Sequence, residues 1–430
     1  MINRIGFHYF PDTLHYQVKN LSLWLPELIQ MRVGWLVLKS PLNFAIPEEF
    51  IKGLLENQIQ PVIHFEFQIN APVKPDDLKV VLAAYAKWGV KYVVFFSSPN
   101  LKSSWEEGTW TQGDLVEHFL DRYLPFAKAA DQMGLVPILP PLQPGGDYWD
   151  TSFLKKMLLL IQQRKAIEML TNLHIAVSAQ TFNKPLDWGL GGSQAWHKSS
   201  PYLKSEANQQ DHIGFQTWEW YTEIIEKALN ITPKIMLFWY GASDIHNDHN
   251  LDSDFSMETM INLANPVESK PEHNSSALAL GDHVIACMFW LLSASGSDPQ
   301  SKTTWFTNRG EARMAAVEKL KANKAQFAKS FAPSEYMISS KVADWLYPID
   351  HYLLLPTYEW GVPEHILERV RPIIRESQPT VGFSLSEATF ARKVTIWNEN
   401  NAFSEYDINL LRQSGCLVDE HIVNSMNVAV

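Results

Sequence analysis

The feature that most constrains the fold of this 430-residue chain is a regular alternation between short apolar runs and segments with a helical hydrophobic period. Strands that are apolar on both faces must be covered on both faces, and strand–helix alternation leads to parallel pairing through right-handed crossovers. Eight such units predict an α/β fold, a closed (β/α)₈ TIM barrel. The apolar runs, each of strand length, are residues 5–10, 35–38, 61–65, 92–96, 136–139, 173–177, 235–239 and 284–290.

An open, doubly wound sheet is the alternative architecture for such an alternation. Folds of that kind which bind dinucleotides carry a G-x-G-x-x-G turn after the first strand. Here residues 6–11 read GFHYFP, so this fingerprint is missing. The barrel is therefore favoured.

After residue 333 the alternation restarts with shorter units, which predicts a small α/β domain over residues 341–430. The barrel domain is assigned to residues 1–332, with a linker near residues 330–340. A helix is expected at residues 311–329. Further strands are expected at residues 352–355, 380–383, 393–397 and 416–418, and helices at 364–374, 386–391 and 404–414.

Composition and charge exclude several classes of partner. The chain has 36 Lys and Arg against 47 Asp and Glu, a net charge of −11, and no basic stripe for nucleic acid or an anionic membrane. Its longest apolar run, residues 284–292, is far below the roughly 20 residues of a membrane helix. Cys287 and Cys416 make no disulfide framework, and residues 1–10 show no secretory pattern, so a soluble cytoplasmic protein is expected.

No cofactor is expected from the motifs in the chain. There is no P-loop or serine elbow. His8 and His64 lie inside apolar runs and are expected to be hydrogen-bonded barrel residues, because no third ligand completes a metal site. Acidic residues within 244–254 suggest calcium, but a solvated loop is the favoured interpretation because an EF-hand pattern is missing.

Aromatic and polar residues follow the apolar runs, at the strand ends where a TIM barrel carries its active site. Aromatic faces in a concave, hydrogen-bonding site suit pyranose rings, so the predicted ligand is a carbohydrate. The alternative is that the tryptophans only cover the barrel and hold long loops. The residues predicted to bind the ligand are His8, Tyr9, Ser98, Asn100, Trp188, Tyr240 and Trp290.

Over residues 1–330 the layout resembles the retaining glycoside hydrolases of the (β/α)₈ superfamily called clan A. In that family strand four ends in Asn-Glu-Pro, whose Glu is the acid/base, and strand seven ends in a nucleophilic Glu. The resemblance places the Asn-Glu pair on Ser97 and Ser98, ahead of Pro99, and the nucleophile on Tyr240. It places the family's strand-eight aromatic residue on Trp290.

These replacements would remove the ordinary double displacement, which needs two carboxyl groups. Glu66, after the third run, and Asp147, after the fifth, are the candidate catalytic pair. Structural alternatives are a hydrogen-bonding role for Glu66 and helix capping or turn stabilisation for Asp147. Asp187 and Glu219 are expected to be structural.

Three functions remain open from the sequence. The first is an O-glycosyl hydrolase that uses Glu66 and Asp147. The second is a pseudoenzyme that binds a carbohydrate without turning it over. The third is a scaffold that assembles, as a homo-oligomer, through the C-terminal domain.

Overall fold

The chain separates into two compact units, Met1–Gln326 and Phe327–Val430. The computed structural model describes residues 3–111, 114–164, 173–199, 211–241, 253–265, 278–322, 349–356, 362–414 and 416–423. The linker predicted near residues 330–340 lies outside these ranges.

The first unit is an eight-stranded, all-parallel barrel. Its strands are β1 (Ile5–His8), β2 (Trp35–Lys39), β3 (Gln60–Phe65), β4 (Tyr92–Phe95), β5 (Val136–Ile138), β6 (His174–Gln180), β7 (Lys234–Gly241) and β8 (Val284–Phe289). They run in the order β5-β4-β3-β2-β1-β8-β7-β6. Leu139 closes the ring between β5 and β6, because its N–H donates to the His174 carbonyl at 3.0 Å and its own carbonyl accepts from Ala176 at 2.9 Å. The predicted TIM barrel is confirmed.

Helices follow the strands and form the outer layer. The start of the helix Pro75–Trp88 shows the local physics: Pro75 occupies the first turn, and the Asp77 carboxylate accepts the Lys74 N–H at 2.7 Å. The helices of this unit are α1 (Val18–Gln30), α2 (Glu48–Glu56), α3 (Pro75–Trp88), α4 (Leu115–Gln132), α5 (Asp150–Gln163), α6 (Gly192–Ser199), α7 (Thr217–Leu229), α8 (Ser253–Ala264) and α9 (Ala315–Ala322).

The helix predicted at residues 311–329 begins later than expected. Ala312 instead forms an isolated antiparallel bridge with Phe306, so α9 starts only at Ala315. The part of the prediction beyond residue 322 lies outside the described residues.

Alternate strand residues face the barrel interior and the helices. The helix-facing layer contains residues such as Phe7, Leu38 and Phe65. The interior is filled by Trp35, Val37, Val62, Val94, Ile138, Ala176, Met236, Phe238, Ala286 and Met288. The barrel is therefore a packed core, and only its rim is open to a ligand.

A bulge in β7 changes which side chains face inward. Val177 of β6 pairs with Leu237, whereas the next residue, Ser178, pairs with Trp239, so Phe238 is the extra residue. Both Phe238 and Trp239 contact the interior layer. Tyr240 consequently faces the helices.

The second unit is a four-stranded parallel sheet with helices on both faces. Its strands are β9 (Ile349–Leu354), β10 (Thr380–Gly382), β11 (Ala391–Glu399) and β12 (Leu417–Val423), in the order β10-β9-β11-β12. Its helices are α10 (Glu364–Ser377), α11 (Leu385–Ala388) and α12 (Glu405–Gln413). Val394 and Leu411 belong to one apolar cluster, and Leu353 and Val370 to another, so this unit has its own core.

Candidate functional site

Five side chains meet at the carboxyl ends of the barrel strands and form what we call the barrel mouth. His8, Lys39 and His64 lie at or next to the ends of β1, β2 and β3. Glu66 directly follows β3, and Trp290 directly follows β8. Since β2, β1 and β8 are neighbours and β3 flanks β2, strand order alone brings these residues together.

The two histidines of the barrel mouth are held in one tautomer by backbone carbonyls. His8 Nε2 lies 2.6 Å from the Phe238 carbonyl oxygen, and His64 Nε2 lies 3.0 Å from that of Phe96. A carbonyl oxygen only accepts, so each Nε2 carries the proton and each Nδ1 is left with a lone pair. Burial lowers the pKa of His8 to about 3 and also lowers the pKa of His64. Both rings are therefore neutral at physiological pH.

Glu66 and Lys39 form an ion pair, with Lys39 Nζ 2.7 Å from Glu66 Oε2. The Glu66 side chain is 43% exposed and the Lys39 side chain 33%, so the pair remains accessible. Desolvation acts to raise the pKa of Glu66, but His64, Lys39 and His8 together hold this pKa below its ordinary value. Glu66 is therefore a carboxylate, which can accept hydrogen bonds or a proton but has no proton to donate.

Aromatic rings contact the two histidines of the barrel mouth. Trp290 is half-buried, with its ring centroid 4.8 Å from that of His8. The buried Phe238 ring meets His8 edge-on at 4.7 Å and His64 at 5.3 Å. Trp239, the other residue of the β7 bulge, is also half-buried. The barrel mouth thus combines indole surface with one ion pair and two neutral imidazoles.

Tyr9 and Tyr240, both predicted to bind the ligand, lie in the helix-facing layer instead. The Tyr9 hydroxyl donates to the His15 carbonyl at 2.9 Å, and the Tyr240 hydroxyl to the Met260 carbonyl of α8 at 2.7 Å. Both rings are fully buried, and burial raises the pKa of each hydroxyl well above its ordinary value. Tyr240 lies inside β7, which extends two residues beyond the predicted strand.

Ser98 and Asn100 follow β4 and stabilise its loop. Ser98 is buried, and its N–H donates to the Pro141 carbonyl at 3.0 Å. Asn100 has an exposed fraction of 0%. Its amide donates to the carbonyls of Gln143 and Tyr148 at 2.8 and 3.0 Å, and its oxygen accepts the Gln143 N–H at 2.9 Å. These contacts occupy the whole Asn100 amide in joining the loops after β4 and β5.

Asp147 and Trp188, the remaining predicted site residues, lie in loops after β5 and β6. Asp147 is exposed, and its carboxylate accepts the Lys102 N–H at 2.8 Å. Trp188 is half-buried; the Lys184 ammonium lies 4.7 Å from its ring centroid and Trp196 stands 5.2 Å away. These contacts lie in the loops after β4, β5 and β6 and in α6.

A buried hydrogen-bond network, which sequence analysis did not identify, lies at the start of α5. The Asp150 carboxylate accepts from His212 Nε2 at 2.9 Å, from the Tyr221 hydroxyl at 2.7 Å and from the Gly145 N–H at 2.9 Å. Desolvation opposes these contacts, yet together they lower the pKa of Asp150. The three side chains are fully or almost fully buried, so the network holds loops to the barrel.

Other kinds of site were sought across the described residues. These residues contain no group of three His, Cys, Asp or Glu that could hold a metal ion. Most of the acidic segment at residues 244–254 lies outside them. Within the described part, no helix has the length and apolar character needed to cross a bilayer. A surface pocket of about 370 Å³ lies between α6 and α7, lined by Gly191, Gln194, Glu223, Glu226 and Lys227, away from the barrel mouth.

The chain has distant structural similarity to known glycoside hydrolases. No protein-family model and no curated protein matches it. A GH128 (subgroup II) endo-beta-1,3-glucanase from Sorangium cellulosum is 12% identical, with a TM-score of 0.40 over 76% of this chain and 100% of its own. A beta-glucuronidase from Ruminococcus gnavus is 11% identical, with a TM-score of 0.38 over 75% of this chain and 48% of its own. An endo-beta-1,4-glucanase from Xanthomonas axonopodis pv. citri is 13% identical, with a TM-score of 0.37 over 74% and 98%. The barrel assignment rests on the strand pairing of this chain itself.

Proposed function

We propose that the barrel mouth binds a neutral carbohydrate, with Trp290 as the stacking surface. The observation that carries this proposal is a half-buried indole next to the His8 ring, at the same edge of the barrel as the accessible Lys39–Glu66 pair. An indole face suits the C–H face of a pyranose, while hydroxyl groups need charged or polar partners around them. Glu66 accepts hydrogen bonds from sugar hydroxyls, and Lys39 donates to them.

The charge of the barrel mouth favours an uncharged ligand over an anion. The carboxylate of Glu66 cancels the ammonium of Lys39, and His8 and His64 are neutral because they are buried. A phosphate or carboxylate ligand would meet no net positive charge there. The His8 and His64 Nδ1 atoms are acceptors, which match hydroxyl donors.

The state of Glu66 favours binding over hydrolysis. A glycosidase needs a carboxylic acid as well as a carboxylate. Glu66 is held ionised by its neighbours, and the Asp147 carboxylate, in the loop after β5, accepts the Lys102 N–H of the loop after β4. Accordingly, we propose that the barrel binds a carbohydrate without hydrolysing it. Hydrolysis by Glu66 and Asp147 is the alternative that the experiment below distinguishes.

Calorimetric titration with a panel of neutral oligosaccharides tests the proposal. In Trp290→Ala the affinity for the saccharide that binds should fall about tenfold, because a stacking contact is lost. In Glu66→Gln it should fall about tenfold or more, because hydrogen bonds to a charged group are weakened. The matched controls are Trp88→Ala, at the end of α3 just before β4 begins, and Glu49→Gln on the exposed side of α2; both should bind as the parent does.

Two results would overturn this proposal. The first is that no neutral saccharide in the panel binds, or that both control variants lose as much affinity as the test variants. The second is release of sugar from an oligosaccharide or an aryl glycoside that disappears in Glu66→Gln, which would establish the hydrolase instead.

A further inference from the structure

The segments that follow β1 and β8 are hydrogen-bonded to each other beyond the ends of both strands. The Leu292 N–H donates to the His8 carbonyl at 2.7 Å, and the Ser293 N–H to the Tyr9 carbonyl at 3.2 Å. This pairing continues the β1–β8 contact past the strands. It brings Ser295, two residues further on, to the segment that contains residues 12–15.

Three side chains of these segments form a Ser–His–Asp chain. His15 Nδ1 lies 2.8 Å from Asp12 Oδ1, and His15 Nε2 lies 3.5 Å from Ser295 Oγ. An ionised carboxylate only accepts, so Nδ1 carries a proton, and the neutral form of the imidazole presents its Nε2 lone pair to the serine hydroxyl. A nucleophile, a base and a group that orients the base are thus connected by two contacts. The 3.5 Å contact between Ser295 and His15 is the longer one, and contacts between nucleophile and base are often long when no substrate is bound.

The imidazole of His15 is fixed on several sides. Phe10 stacks on its face, with the centroids 4.0 Å apart and the planes at 18°. The His15 carbonyl accepts the Tyr9 hydroxyl, and Asp12 Oδ1 also accepts the Leu14 N–H at 2.8 Å. The side chains of His15 and Asp12 are still 22% and 27% exposed. The group is therefore oriented without being closed to a substrate.

Backbone donors lie next to the serine. The N–H groups of Gly296 and Ser297 make no hydrogen bond within the described part of the chain. Gly296 also has open space where a side chain would project. These two N–H groups, one and two residues after Ser295, are the nearest backbone donors in sequence for the oxyanion that forms when an ester carbonyl is attacked.

We propose that Ser295, His15 and Asp12 constitute a nucleophilic serine site that cleaves carboxylic esters. Ser295 Oγ bonds to the ester carbonyl carbon while its proton passes to His15 Nε2. The ester C–O bond then breaks, and the leaving alkoxide takes that proton and departs as the alcohol. Water attacks the acyl-serine, gives a proton to His15 and releases the carboxylic acid, and His15 returns the proton to Ser295. This proposal does not depend on carbohydrate binding at the barrel mouth.

Labelling of the full chain with a fluorophosphonate, which modifies activated serines, tests the proposal. Peptide mass spectrometry should find the adduct on Ser295. The labelling rate should fall about a hundredfold or more in His15→Asn, because the general base is lost. It should vanish at this position in Ser295→Ala. The control Ser103→Ala removes an exposed serine from the loop after β4 and should leave labelling unchanged.

Hydrolysis of 4-nitrophenyl acetate gives the second readout. We expect a burst of 4-nitrophenol, stoichiometric with protein, that is absent in Ser295→Ala and strongly reduced in Asp12→Asn. Circular dichroism of each variant shows whether it is folded. Absence of an adduct on Ser295 in the folded parent chain would overturn the proposal, as would equal labelling rates in the parent and His15→Asn.

Discussion

Single residues at the barrel mouth show how burial sets chemistry. His8 is an ionisable side chain on an inward-facing position. Its neutral ring has one N–H, at Nε2, which donates a hydrogen bond to the Phe238 carbonyl. Because the ring is desolvated, its pKa of about 3 lies far below the ordinary value of 6.5. Glu66 is paired with the Lys39 ammonium and stays charged, so the barrel mouth contains neutral imidazoles beside an ion pair.

The lowered pKa of His8 makes a prediction about stability. As the pH falls from 6.5 toward 3, the unfolded chain binds this proton before the folded chain does, so the free energy of unfolding decreases. The loss due to His8 is about 1.4 kcal/mol per pH unit within that window. Urea unfolding should show that His8→Gln removes about 2 kcal/mol of the decrease between about pH 7 and about pH 5.

The exposed His118 supplies the control for this measurement. The variant His118→Gln replaces a histidine on the exposed side of α4 by the same residue and gives the curve with which His8→Gln is compared. If His8→Gln followed the parent curve, the pKa of His8 would have to be the same in the folded and unfolded states, and the prediction would be wrong.

At the scale of elements, β1 shows how the barrel accommodates its largest interior side chains. A Cβ added to Gly6 would lie 2.3 Å from Met288 Sδ of β8 and 2.8 Å from Trp35 Cβ of β2. The space that a side chain of β1 would need is already taken by its two neighbours. A glycine is required at this register position by close packing.

The variant Gly6→Ala should therefore destabilise the barrel by about 1–3 kcal/mol, because the interior becomes overpacked. Thermal unfolding measures the effect. Gly296→Ala is the matched control, since nothing lies within 4 Å of its added Cβ, and it should shift stability by less than about 0.5 kcal/mol. Equal stability of the two variants would contradict the interpretation of β1.

At the scale of the whole molecule, two units each have their own sheet and core. The barrel strands pair only with one another in the described residues, as do β9 to β12. The apolar clusters divide in the same way. Each unit thus meets the requirement for folding by itself.

A chain that ends at residue 326 should accordingly keep a cooperative unfolding transition, with a midpoint within about 5 °C of that of the barrel in the full chain. Near-ultraviolet circular dichroism and calorimetry of both proteins measure this. A truncated chain that lacks fixed aromatic packing, or that unfolds without a transition, would show that residues 327–430 are needed for the barrel to fold.

Some features of the site were accessible from the sequence and others were not. The rim positions of His8, Glu66 and Trp290 follow from strand order, because residues after parallel strands share one edge of the sheet. The orientation of Tyr9 and Tyr240 does not follow, because strands that are apolar on both faces carry no alternation that shows which residues point inward. The pairing of Ser295 with His15 joins segments 280 residues apart.

The amino-acid sequence by itself determined the α/β barrel, since eight two-sided apolar strands alternating with helices have few other ways to cover both faces. Tertiary structure alone decided which rim side chains reach the barrel mouth. One extra residue in β7 turns Tyr240 toward α8, and loop contacts bury the whole Asn100 amide. The local sequence pattern shows which residues are buried. The direction in which a strand side chain points, and the residues that lie next to it, depend on strand register and loop contacts, which are set only when distant segments of the chain meet.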